Sequence, residues 1–65
     1  MKLINEMLNE GYILKEINID GKIFHGEDIK YVDFISSVYI EFFNNGILIV
    51  PYNKIDYVYI VEEEE

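Results

Sequence analysis

The stretch from residue 47 to residue 61, ILIVPYNKIDYVYIV, decides the fold. Ile47, Leu48, Ile49 and Val50 form one apolar run, expected as a strand buried on much of both faces. Tyr57 to Val61 form a second run, rich in the β-branched and aromatic side chains that suit a pleated strand. Pro51 stands between them; it has no backbone donor and fixes its own φ, so a hydrogen-bonded ladder must break or bend there. Pro51 to Lys54 is too short for a crossover helix and reads as a tight corner. Strand, one-turn corner, strand is a unit of small β-barrels, and the rest of the chain has to supply the other strands.

Immediately upstream, Val38 to Phe43 alternates, with Val38, Ile40 and Phe42 on one face and Tyr39, Glu41 and Phe43 on the other. Asn44-Asn45-Gly46 is a hairpin signal that joins this strand to Ile47. Asp33 to Ser37, DFISS, reads as a loop before it. Lys22 to His25 opens a further strand that resumes near Ile29 and runs through Val32, with Gly26 as a bend inside it. Asp20-Gly21 is a second hairpin signal, preceded by a first strand over residues 12–19, YILKEINI. In KLINEMLNE, residues 2–10, Leu3, Ile4, Met7 and Leu8 fall at helical spacing, and Gly11 follows as a stop. A helix this short is marginal alone, so its apolar stripe must dock, either as a lid over the open end of a barrel or on a partner. The expected architecture is mainly β: a short N-terminal α-helix followed by a five-stranded, strongly bent barrel, one domain over residues 1–61, and an acidic tail over 62–65.

Composition narrows the functional classes. Sixty-five residues allow one domain, and a chain of this size buries only about 60% of the surface it exposes when unfolded. The 51% hydrophobic content is high for so small a body, and part of the surplus is expected to be interface. With no cysteine there are no disulfides, zinc-thiolate sites or thiol nucleophiles. No apolar run approaches the roughly 20 residues of a membrane span, and the N-terminus lacks the marks of a signal peptide, so a cytoplasmic location without membrane contact is expected. The net charge is -8, but Glu62 to Glu65 supply four of the negative charges. There are five lysines and no arginine, which disfavours general binding to nucleic-acid phosphates.

The order of parts resembles the Sm-like fold, an SH3-type barrel of five strands with an N-terminal helix. Gly21-Lys22 stands at the glycine-basic turn of that family's first motif, Gly26 at the glycine of its bent second strand, and Asp33 at its aspartate, with Val32 where the family has Phe. Ser36-Ser37 takes the place of Met-Asn, Val38, Tyr39 and Ile40 continue as the strand, and one extra residue lies between Gly26 and Asp33. In the second motif Val50, Pro51-Tyr52, Asn53-Lys54, Ile55, Asp56 and Tyr57-Val58 keep the family's order, except that Pro51-Tyr52 replaces Arg-Gly. The resemblance implies a barrel that assembles by pairing the fourth strand of one subunit with the fifth of the next. A homo-oligomer through edge-strand pairing is therefore expected, a ring ahead of a dimer, with Tyr57, Tyr59, Val61 and Phe43 at the interface. It also implies that the family's RNA slot is missing. Ser37, Ile35 and Pro51 stand at its positions and offer no bidentate amide, no π-face and no charge.

No chemistry-bearing constellation stands out. His25 is the single histidine, with Glu27 and Asp28 beside it as a weak metal-ligand pattern, and Ser36 and Ser37 have no recognisable activating base. Each glycine is explained by a cap, turn or bend, so no phosphate-binding loop is present. No enzyme, no cofactor and no metal site is expected. The candidate ligand or partner surface is the corner Tyr52, Asn53 and Lys54 together with Asp33, Ser36 and Ser37, and Tyr52 is expected to project from it towards a neighbouring subunit or a ligand. The expected function is a non-catalytic binding and assembly module for a protein or small ligand. An alternative is an acidic inhibitor, of the kind phages and mobile elements encode, that mimics nucleic-acid charge. RNA binding of the Sm-like type is a third.

Overall fold

Turn chemistry sets the register of the first hairpin. Asp20 (φ 52°) and Gly21 (φ 86°) are both left-handed, the mirror-image turn whose twist matches two antiparallel strands. The Gly21 N–H is held twice, by Asn18 Oδ1 at 3.0 Å and by Asp56 Oδ2 at 2.8 Å. The turn pairs β1 (Ile13–Ile19) with β2 (Lys22–His25), Ile19 opposite Lys22 and Glu16 opposite His25.

The computed structural model describes residues 2–62, with side chains from Leu3 onward; Glu63 to Glu65 of the acidic tail lie outside the described residues. The helix α1 (Lys2–Asn9) precedes β1 and β2, and β3 (Ile29–Phe34), β4 (Val38–Phe42), β5 (Ile47–Val50) and β6 (Ile55–Val61) follow. The strands form two antiparallel sheets in the orders β2-β1-β6 and β3-β4-β5. Among the described residues no ladder joins the two sheets into a closed barrel.

Six strands replace the five expected because the bent strand is divided. A 3-10 turn at Gly26–Asp28 separates β2 from β3 and delivers them to different sheets. Gly26 is the joint: a Cβ there would lie 1.8 Å from the Leu14 carbonyl oxygen, so only glycine lets the chain pass so close to β1.

Two further expectations are corrected. The segment from Asp33 to Ser37 is not all loop, since Asp33 and Phe34 belong to β3 and only Ile35 to Ser37 turn, closed by Ile35 N–H to Ser37 C=O at 3.1 Å. The inward alternation of β3 runs through Val32 to Phe34, and Phe34 is among the most buried side chains in the chain. The Ile47–Val50 run is not covered on both faces. It is an edge strand with Leu48 and Val50 inward, while Ile47 and Ile49 are 56% and 63% exposed.

The core is small and drawn from both sheets. Ile17, Ile19, Phe34, Val38 and Ile40 are buried, and Ile4 and Leu8 of α1 pack against them, as do Phe24, Phe42, Val58 and Tyr52. Burying a side chain of this kind stabilises by about 1.5–3 kcal/mol, so α1 gains its stability from docking on this cluster rather than from its own eight residues.

Candidate functional site

Asp33 and Tyr52, far apart in sequence, come together at one corner. Pro51 enters it extended (φ -72°, ψ 155°), and Tyr52–Lys54 then make a 3-10 turn in which the Lys54 N–H bonds the Pro51 carbonyl at 3.1 Å. The Lys54 carbonyl accepts the Asp20 N–H at 2.8 Å, which ties the corner to the first hairpin.

Tyr52 does not project towards a neighbour as expected. Its ring is half-buried on the core cluster, and its hydroxyl donates to the Ile35 carbonyl. An apolar ring next to a short turn gains more from packing inward than from standing in water. Partial desolvation, and after it the nearby Asp33 carboxylate, raise the Tyr52 pKa above the ordinary 10.0.

Asp33 is engaged on its other side by Asn5 of α1, whose Nδ2 donates to Asp33 Oδ1 at 3.1 Å. The same Nδ2 donates to the Phe34 carbonyl at 2.8 Å, while Asn5 Oδ1 accepts the Phe34 N–H at 3.0 Å. A side-chain amide has the donor and acceptor of a peptide group, so Asn5 makes on the outer edge of β3 the bonds that another strand would make. Asn5 carried no signal in the sequence, lying between the apolar positions Ile4 and Met7 of the expected helix. Of the residues expected to bind, Ser36, Asn53 and Lys54 are exposed, Ser37 and Asp33 half-buried, and Tyr52 is committed to the fold. Ile35, which had been weighed only for the RNA slot, is 69% exposed beside them.

The expected interface residues divide between two sheets. Tyr57 and Tyr59 are 42% and 53% exposed on β6, Val61 is half-buried at its end, and Phe43 lies just beyond β4, 66% exposed in the turn whose left-handed residue is Asn45. Tyr57 donates its hydroxyl to the Glu16 carboxylate. That bond raises its pKa; desolvation and the Glu16 and Asp56 charges act the same way, and Asn18 opposes them. The outer face of β3-β4-β5 adds apolar residues: Tyr31 edge-on to Tyr39 at 6.1 Å, and Ile47 and Ile49 on β5. Contiguous exposed apolar surface of this kind marks interaction sites.

His25 lines an open cleft of about 450 Å³ between β2, the Gly26–Asp28 turn and the Phe42–Asn44 segment, and neither serine is in that lining. Among the described residues no three His, Asp or Glu side chains gather as a metal cage. No family model, curated protein or solved structure matches the chain.

Proposed function

We propose that the chain is a non-catalytic binding and assembly module, built on an SH3-like barrel of the Sm-like kind, whose copies join through β5 and β6 into a homo-oligomer. The resemblance to that barrel is supported by the three-plus-three sheet order, by the strand divided at a glycine, and by the 3-10 turn between the last two strands. One observation carries the assembly: β5 and β6, the strands flanking the Pro51 corner, are both edge strands, and their outward side chains Ile47, Ile49, Tyr57 and Tyr59 are all exposed. Open apolar edges are aggregation hazards that proteins cover. Pairing β5 of one copy with β6 of the next continues the sheet and covers both edges at once. In this reading the exposed groups of Ser36, Asn53 and Lys54 are the surface offered to a protein or small ligand.

Light scattering of the full chain at two protein and two salt concentrations tests the assembly. The expected result is a salt-resistant species of several copies, because strand pairing depends little on screened charge. A single-copy mass under every condition overturns it.

A further inference from the structure

The cleft beside β2 lies apart from the β5 and β6 edges and from Ser36, Asn53 and Lys54, and of the expected interface residues it takes in only Phe43. It exists because the β4–β5 hairpin is short. The Phe43 N–H makes a last contact with the Asp28 carbonyl at 3.1 Å, after which the chain reverses through Asn44 and Asn45. Among the described residues β2 therefore has β1 as its one neighbour, and its other edge faces the cleft. In a hairpin with a two-residue turn the pair next to the turn, Ile19 and Lys22, exchanges both hydrogen bonds. The next pair does not, so the N–H and C=O of Ile23 point away from β1, and Ile23 lines the cleft.

The side chains around this free edge have a distinct chemistry. The rings of Phe24 and Phe42 stand 5.6 Å apart, tilted by 39°, and Phe43 forms an exposed lip. The exposed acidic residues Glu27 and Asp28 are among the lining residues, and no lysine is. The Lys22 ammonium, which does not line the cleft, lies 5.3 Å from the centre of the Phe24 ring, a contact that shows this ring attracts a cation. A four-residue edge with a free donor and acceptor favours an extended chain. Aromatic walls under an acidic rim favour a side chain with an apolar stem and a positive end.

We propose that the cleft binds an extended segment of a partner protein, which adds to the outer edge of β2 and lays a lysine or arginine side chain across Phe24, Phe42 and Phe43 with its charge towards Glu27 and Asp28. This site uses a different strand from the two that serve assembly, and it stands whether or not the copies associate.

The test is NMR titration of the isotope-labelled full chain with a blocked Thr-Lys-Thr-Lys-Thr peptide, beside the same peptide with both lysines acetylated. The expected shifts are confined to residues 22–28 and 42–46, the Ile23 amide becomes protected from exchange, and acetylation weakens binding at least tenfold. The Glu27→Gln/Asp28→Asn double variant and Phe43→Ala alter exposed side chains and should keep the parent's spectral dispersion while losing similar affinity. If either fails to fold, the comparison of the two peptides on the parent chain still decides. Equal binding of the two peptides, or shifts centred on β5 and β6, overturns the proposal. So does tetramethylammonium reproducing the shifts while the lysine peptide leaves Ile23 exchange unchanged, which would assign the cleft to small cations instead.

Discussion

Along the outer edge of β3 the Asn5 side chain supplies the hydrogen bonds of an absent strand. Along the outer edge of β5, at the other side of the same sheet, no strand is paired among the described residues, and Ile47 and Ile49 stand exposed. The strands differ in composition, since β5 is wholly apolar and β3 carries Lys30 and Asp33, and they differ again in what the chain brings to each edge. A helix of eight residues carries one amide to the first edge, and among the described residues no element pairs with the second. At Phe34 the β3 edge is capped from within, whereas the uncapped β5 edge presents its backbone along its whole length.

The strongest way to break this contrast is to remove the joint that creates the second sheet. Gly26→Ala places a Cβ 1.8 Å from the Leu14 carbonyl oxygen, and the backbone of β1 or of the turn must move. The expected cost is several kcal/mol, about the whole stability of a chain this small. Circular dichroism and NMR dispersion should report an unfolded chain; a folded variant would show that the close approach is not needed.

Asn5→Ala acts on the capped edge alone. Phe34 loses both of its edge partners in a part-buried setting, for an expected loss of about 2 kcal/mol. That corresponds to a fall of about 8–16 °C in the melting temperature, with a rise in aggregation as the β3 edge opens. A change below about 0.5 kcal/mol would mean that water replaces the amide without penalty. Ile49→Lys acts on the open edge. Ile49 is 63% exposed, so folding stability should change by no more than about 0.5 kcal/mol. The solution mass should nonetheless fall to that of one copy. An unchanged mass in a multi-copy parent would place the assembly surface elsewhere.

The smallest effect is alkaline. Tyr52 and Tyr57 both have pKa values raised above the ordinary 10.0, so folding favours their neutral forms. Below the unfolded value both states are protonated and the contribution is complete. It is lost as pH rises from about 10 through the raised folded value, because the unfolded state releases the protons first. Melting temperatures of Tyr52→Phe and Tyr57→Phe between about pH 9 and 11 should therefore fall less steeply than the parent's. Parallel slopes would show that neither hydroxyl is linked to folding.

The local features were legible because their chemistry is local. Asp20-Gly21 and Asn44 to Gly46 announce their turns through backbone preference, and the alternation over Val38 to Phe42 matches the buried face of β4. The run from Ile47 to Val50 announced a strand but not its coverage, since an apolar run reads the same whether one face or two are buried. Phe34 was hidden by its neighbours, an aspartate and two serines that read as loop. Asn5 was hidden more deeply, because an amide becomes a strand mimic only when folding brings a free edge to it. At the candidate corner the sequence located the parts but not the direction of Tyr52, which is set by the core beneath it. The cleft beside β2 depends on where a hairpin ends relative to a separate strand, a relation between two segments that neither contains.

Asn5 lies 29 residues before Phe34. During synthesis from the N-terminus Asn5 appears long before the edge it caps, but α1 docks only when Phe34, Val38 and Ile40 have followed, so the cap forms together with the sheet. β5 emerges later with nothing upstream assigned to shelter it. For a crowded translation site this sets an order of risk: the β3 edge is capped at Phe34 once its own sheet forms, whereas β5, the last strand of that sheet to appear, emerges with Ile47 and Ile49 exposed and its edge unpaired among the described residues.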